Sequence, residues 1–262
     1  MIPISVFIIT KNEADRIGKI IQSVKSFADE IIIIDSGSTD DTKKICDELQ
    51  VKFIFNPWQG YGPQKIFGEN ICKNQWLLNI DADEEVSPEL ANEIKEIFNQ
   101  EIQPEVAGFR VKIVNKFRFE VKPHRFAYYY NQLRLYNKNF AGFKNSSVHD
   151  SVILKDSNHK ILQLNNIIYH QSFRDFSHWV DKINSYSTMQ AKDAVLKNKK
   201  LGFFKILLAP TLAFFKAYFV RRYFIYGFNG IIYSYLYAFS RFLKMVKIRE
   251  EFEAIKFKNN HE

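Results

Sequence analysis

The chain has 262 residues, with 37 Lys and Arg against 29 Asp and Glu and a formal net charge of +8. A make-up of 46% hydrophobic and 25% charged residues excludes a disordered or low-complexity chain. The length supplies a packed core for one large domain, or for one domain and an appendage. Two cysteines, Cys46 and Cys72, exclude a disulfide framework and a cysteine zinc site, and point to a reducing compartment.

The charge is uneven. Residues 1–109 hold 10 Lys/Arg and 19 Asp/Glu, whereas 110–262 hold 27 and 10. An acidic front thus precedes a basic back that is rich in aromatics, from a total of 25 Phe and 13 Tyr. Such asymmetry marks contact with an anionic surface, membrane or nucleic acid. Residues 2–9 are a short apolar run with no basic region before it, so no signal peptide is expected.

In chain order, residues 4–10 are a near-continuous apolar run, the pattern of a buried parallel strand. Residues 13–28 place Ile17, Ile20, Ile21, Val24 and Phe27 at helical spacing. Residues 31–34 are four isoleucines that stop at Asp35, a second strand. Ser38 with Asp41 three residues later predicts a helix start, running to about residue 49. A third strand covers 51–55, and Pro63 opens a short helix through 72. Residues 76–80 form a fourth strand ending at Asp81, and Ser87-Pro88 cap a helix to about residue 100. The sum is an α/β fold with a doubly wound parallel sheet. Further on, strands are predicted at 106–114, 132–136 and 151–154, with turns at Asn115-Lys116 and Ala141-Gly142. A helix over 175–196 puts Phe176, Trp179, Val180, Ile183, Tyr186 and Met189 on one face. There is no internal repeat and no linker separating independent domains.

In open sheets of this kind the ligand lies beyond the carboxyl ends of the strands. The residues there are Thr10, Lys11, Asn12 and Glu13; Asp35, Ser36, Gly37 and Ser38; and Asp81, Ala82, Asp83 and Glu84. Asp81-Ala82-Asp83 places two carboxylates on one tight loop, able to address a hard cation and its bound diphosphate. The alternative is a solvated loop leading into the Ser87 helix. Asp35 can accept from a ribose hydroxyl or a base N–H; its alternative role is to support the 36–40 turn. Neither G-x-G-x-x-G nor G-x-x-x-x-G-K-[ST] occurs, which counts against a dinucleotide fold and a P-loop ATPase.

The order and spacing of Ser5-Val6-Phe7-Ile8-Ile9-Thr10-Lys11-Asn12-Glu13, Ile34-Asp35-Ser36-Gly37-Ser38-Thr39-Asp40 and Leu78-Asn79-Ile80-Asp81-Ala82-Asp83-Glu84 resemble the family 2 glycosyltransferases of GT-A fold. Within that family the chain is most similar to bacterial lipopolysaccharide-core glucosyltransferases. That likeness lies in Gly60-Tyr61-Gly62-Pro63-Gln64-Lys65, Leu133-Arg134-Leu135-Tyr136, Val148-His149-Asp150 and the basic aromatic tail. The resemblance implies a GT-A, Rossmann-like domain over 1–200, with a nucleotide-sugar half to about 105 and an acceptor half from about 106. A membrane-associating helical region at 201–262 follows.

It also implies transfer of a hexose from a nucleotide sugar, with UDP-glucose as the family-weighted donor, usually with inversion. The acceptor would be a lipid-linked or cell-envelope glycan. By position, Thr10, Asn12, Glu13, Asp35 and Ser36 would surround the nucleoside, and Lys65 the base or phosphates. Asp81 and Ala82 would lie near the ribose, and Asp83 would hold Mg2+ or Mn2+ on the diphosphate. Asp150 would be the general base. It stands where relatives carry Glu, which shortens its reach by one methylene. His149 is a candidate contact to metal or phosphate. Arg134 would meet phosphate or acceptor, or be a paired strand arginine. Gln171-Ser172-Phe173-Arg174 lacks the tryptophan of the processive Q-x-x-R-W and is read as coincidence.

Residues 223–240 are 18 positions without a charge, close to spanning length. They contain five Tyr and two Gly, with Arg221-Arg222, Arg241 and Lys244 alongside, and Pro210 breaks the apolar run before them. Tyrosine favours the headgroup level, so the expectation is interfacial helices on anionic lipid rather than a span or a soluble cap. Lys197, Lys199, Lys200, Lys205, Lys216, Arg221 and Arg222 would face lipid headgroups or acceptor phosphates. That places the protein on the cytoplasmic face of a bacterial inner membrane. The aromatic stretch fits lipid better than nucleic acid. Two other classes stay open: a non-catalytic nucleotide-sugar-binding protein at a membrane, and a nucleotidyltransferase, which would want a Gly- and Arg-rich loop that 10–17 lacks.

Overall fold

The protein is described here by a computed structural model, over residues 2–100, 102–144, 151–198 and 202–259. It divides into two compact units, one of 2–115 and 129–171, the other of 116–128 and 172–259.

The first unit begins with β1 (Ile2–Thr10), buried from Ile4 onward, then α1 (Ile17–Lys25), β2 (Ala28–Asp35), α2 (Thr42–Glu48), β3 (Lys52–Phe55) and α3 (Tyr61–Ile71). β4 (Trp76–Asp81), β5 (Glu84–Val86), α4 (Pro88–Phe98), β6 (Val106–Asn115) and β7 (Tyr129–Asn137) follow. A two-stranded ribbon of β8 (Ala141–Phe143) and β9 (Val152–Leu154) precedes β10 (Lys160–His170). Eight strands form one sheet in the order β3-β2-β1-β4-β7-β6-β10-β5. β1 is parallel to both β2 and β4, β2 to β3, and β6 to β10; β7 runs antiparallel to β4 and β6, and β5 to β10. This is the expected α/β architecture, a mainly parallel mixed sheet flanked by helices.

Both faces of the parallel strands are covered, which is why they read as unbroken apolar runs. On one face Ile4, Val6, Ile8 and Ile33 meet Ile17, Ile21 and Val24 of α1 and Leu90 and Ile94 of α4. On the other, Phe7, Ile32, Ile34 and Leu77 lie under α3. That helix comes close because Gly68 has no side chain: a Cβ there would sit 2.6 Å from the Phe7 ring and 2.8 Å from Ile34 Cδ1.

The register sets up the site. Thr10 pairs with Asp35 and Ile9 with Asp81, so three strand ends finish in one row. His170 pairs with Glu84 on one side and Asn115 on the other.

Several local expectations are corrected. Residues 13–16 are a turn rather than the first turn of a helix, with Arg16 and Ile17 N–H donating to Glu13 C=O at 3.1 and 2.9 Å. Ala28 opens β2 instead of closing α1. α2 starts at Thr42, where Asp40 Oδ1 accepts from the Thr42 N–H at 3.0 Å; Ser38 is engaged by the neighbouring loop. Ala141-Gly142 is strand, not turn. β5 and β10 were not expected. β10 loses its alternation at a bulge, where the backbone N–H groups of Asn165 and Asn166 donate to the Glu93 carboxylate at 2.8 and 2.9 Å.

The second unit contains α5 (Phe176–Leu196), α6 (Phe203–Phe215), a π-helical turn (Lys216–Val220), a 3-10 turn (Tyr223–Tyr226) and α7 (Gly227–Asn259). Its core joins Phe117 to Phe173, Trp179, Ala217, Tyr223 and Tyr233, with Phe117 stacked on Tyr233 at 4.0 Å. Ile183 of α5 is buried as expected, but Phe176, Val180 and Met189 are exposed. Pro210 lies inside α6 and does not end it. The uncharged stretch is split between the 3-10 turn and α7, and no described helix is long and apolar enough to cross a membrane.

Candidate active site

The loops after β1 and β2 are laced together by their own side chains. Thr10 Oγ1 donates to Asp35 Oδ1 at 3.2 Å, and the N–H groups of Gly37 and Ser38 donate to Asp35 Oδ2, both at 2.8 Å. The Ser38 hydroxyl also donates to Oδ1. A carboxylate accepts about four hydrogen bonds, so buried Asp35 is filled by its own loop, the turn-supporting role. Gly37 permits the tight return at φ +102. Ser36 Oγ donates to Thr10 C=O at 3.1 Å. Asn12, in the left-handed region at φ +56, accepts from Thr39 N–H at 2.8 Å on its Oδ1 and donates its own N–H to Ser38 Oγ. Glu13 Oε2 pairs with Arg16 Nε at 2.6 Å, and Arg16 Nη1 donates to Gln171 C=O at 2.8 Å.

At the end of β4 lies a buried ionic cluster. Lys65 of α3, fully buried, places Nζ 2.8 Å from Asp81 Oδ1. Arg134 of β7 reaches Asp81 Oδ2 at 3.2 Å, Glu84 Oε1 at 2.7 Å and Asn79 Oδ1 at 2.8 Å. Glu84 Oε2 in turn accepts from the Asp81 N–H at 3.0 Å. Burial opposes ionisation of Asp81, but Lys65 and Arg134 outweigh it and pull its carboxyl down to about 2. For Glu84 burial wins over Arg134 and the pKa is raised. Arg134 is therefore a paired arginine, bridging two acids. One turn beyond Lys65, Glu69 accepts from Tyr136 Oη at 2.6 Å and from the Phe143 N–H at 3.0 Å, tying α3 to β7 and β8.

Ala82 is buried, and Asp83 turns to a different neighbour. Asp83 C=O accepts from Gln171 N–H at 2.9 Å, and Asp83 Oδ2 lies 3.4 Å from His170 Nε2. The other ring nitrogen, Nδ1, is 3.1 Å from Asn115 Oδ1. With Nδ1–H donating to that oxygen, Nε2 carries a lone pair. In that tautomer the carboxylate and the imidazole offer a cation two ligands; with the ring protonated they form an ion pair. One carboxylate and one imidazole make a donor set suited to Mn2+ or Mg2+ completed by phosphate oxygens and water. Among the described residues no cluster of three or more His, Cys, Asp or Glu could hold a metal alone.

The structure thus brings Lys65, Asp81, Ala82 and Asp83 to one turn, and Thr10, Asn12, Glu13, Asp35 and Ser36 to the paired loops beside it. Asp150 and His149 lie outside the described residues. Sequence reasoning missed His170, Asn115 and Arg16. Gln171 takes part through its backbone alone, which no side-chain motif signals.

The model of the family described as glycosyl transferase family 2 matches residues 5–162. A chain of Rickettsia felis described as an uncharacterized glycosyltransferase is 47% identical over 253 residues, covering 94% of this chain and 89% of that one. Lipopolysaccharide core biosynthesis glycosyltransferase LpsC of Rhizobium meliloti is 30% identical over 275 residues, covering 99% and 96%. Among solved structures, glucosyl-3-phosphoglycerate synthase from Mycobacterium tuberculosis, bound to Mn2+, UDP and glucosyl-3-phosphoglycerate, is 21% identical over 44% of each chain. Its TM-score of 0.34 is too low to carry an argument about this site.

Proposed function

We propose that this chain, which belongs to glycosyl transferase family 2, moves a hexose from a nucleotide sugar, UDP-glucose, to a lipid-linked glycan of the lipopolysaccharide-core type. The observation that carries the reading is the closeness of Asp83 Oδ2 and His170 Nε2, a carboxylate and an imidazole 3.4 Å apart just beyond the carboxyl end of β4. Asp83 and His170 would hold Mn2+ or Mg2+. Such an ion, when bound, neutralises charge on the leaving diphosphate.

The chain's own residues do the rest. The Lys65–Asp81–Arg134 cluster holds the turn rigid, with Asp81 ionised to accept from ribose hydroxyls. The interlocked loops that carry Thr10, Asn12, Glu13, Asp35 and Ser36 form the wall for the nucleoside, through their remaining donors and backbone. Asp150 takes the acceptor hydroxyl's proton. The named role of LpsC supports the choice of acceptor.

The second unit supports a peripheral position on the cytoplasmic face of an inner membrane. Along α6, Phe204, Leu207, Leu208 and Leu212 are 74, 61, 55 and 67% exposed, an apolar face beside basic residues.

A thermal-shift series of nucleotide sugars with and without Mn2+ tests the reading. UDP-glucose should raise Tm by mass action only with the metal present. A Tm that no nucleotide sugar moves would overturn it.

A further inference from the structure

In the second unit, two guanidinium groups close on one ring. Arg221 Cζ lies 4.3 Å from the centroid of Tyr237 and 5.2 Å from that of Tyr128. Arg241 Cζ lies 5.0 Å from the Tyr237 centroid, and its Nη2 donates to Tyr237 Oη at 3.1 Å. The Arg221 N–H returns to Lys216 C=O at 2.9 Å, so the π-helical turn starts with a third basic residue, exposed Lys216. Burial works against ionising the Tyr237 phenol. The Arg241 hydrogen bond and the charges of Arg221, Arg241 and Lys216 outweigh that, and hold it below the ordinary tyrosine value.

Two guanidinium groups on one ring, with Lys216 at the start of the same turn, concentrate positive charge that attracts phosphate oxygens. Guanidinium forks stacked on aromatic faces are held ready for phosphate oxygens. The residues flanking Lys216 supply the second half of a lipid's chemistry: Phe215, Phe219 and Val220 are exposed by 52, 57 and 63%. Cations for a headgroup lie next to an apolar skirt for acyl chains.

We propose that Arg221 and Arg241, stacked on Tyr237, bind with Lys216 of the same turn the phosphate of an anionic phospholipid whose chains meet Phe215, Phe219 and Val220. The site rests on the membrane-surface reading above and gives it a specific lipid contact.

The test is sedimentation of the full chain with vesicles of phosphatidylcholine alone or mixed with phosphatidylglycerol. Arg241→Lys keeps the charge but loses the fork, and Lys216→Gln removes an exposed charge without touching the core. Each should weaken binding to the mixed vesicles about tenfold, whereas Lys256→Gln, at the far end of α7, should cost no more than about fivefold, the effect of one diffuse surface charge. Melting curves matching the wild type show that the variants fold. If Arg241→Lys binds as the wild type does, attraction is diffuse and the site is refuted. If glycerol 3-phosphate at matched ionic strength displaces the protein from the vesicles, the site takes soluble phosphate and the lipid assignment falls. A wild type that ignores both vesicles overturns the site and the membrane reading together. Donor-induced stabilisation by UDP-glucose and Mn2+ reports separately on the catalytic reading.

Discussion

His170 Nε2 and Asp83 Oδ2 lie 3.4 Å apart, although 87 positions separate the two residues in the sequence. The pairing of Glu84 with His170 across β5 and β10 brings them together. Asp83→Ala and His170→Ala should each lower donor turnover at least about a hundredfold with the fold intact. His170→Ala should also shift the Mn2+ dependence of turnover to higher concentration. A Mn2+ titration identical to wild type would remove His170 from the site.

Arg134 holds buried Glu84 and partly exposed Asp81 at once; deleting it strands Glu84 and leaves Asp81 to Lys65 alone. Arg134→Met should cost about 3–5 kcal/mol in urea denaturation. Adding Glu84→Gln should restore part of that loss, because one uncompensated carboxylate is then gone. Strict additivity of the two substitutions would mean that Arg134 and Glu84 are not coupled.

Glu69 gives a pH dependence of known sign. Burial raises its pKa, and the bonds from Tyr136 and Phe143 only partly offset this. Its contribution is therefore fullest below the unfolded value of about 4.3 and declines as pH rises toward the folded value. Glu69→Gln keeps an acceptor for Phe143 N–H and cannot ionise. Its stability relative to wild type should improve between about pH 4 and about pH 7. A stability difference that is flat across that range would contradict the assignment.

The face of α6 offers a test that leaves the core alone. Leu208 and Leu212 are more than half exposed, so Leu208→Glu with Leu212→Glu should change Tm little while releasing the protein from anionic vesicles. Unchanged vesicle binding would place the lipid contact elsewhere on the second unit.

Legibility in the sequence followed the range of the interactions. β1 and β2 were readable because two covered faces make 6–9 and 31–34 unbroken apolar runs, and the α4 start because Ser87 Oγ accepts from the Leu90 N–H at 3.1 Å within one turn. The turn of Asp81 and Asp83 was recognisable from its place after a buried strand. β10 was not, since its bulge answers to Glu93 on another element. His170 and Asn115 carry no local pattern; register alone joins them. The second unit was misread at Pro210 and on α5 because composition names apolar residues without saying which of them find a partner.

The sheet's two margins are brief. β3 has four residues and β5 three, and they are the outermost strands of the eight. Each edge strand thus offers only three or four residues on which a neighbouring molecule could add a strand. The isoleucine-rich centre thereby stays away from both margins, which limits edge-to-edge aggregation.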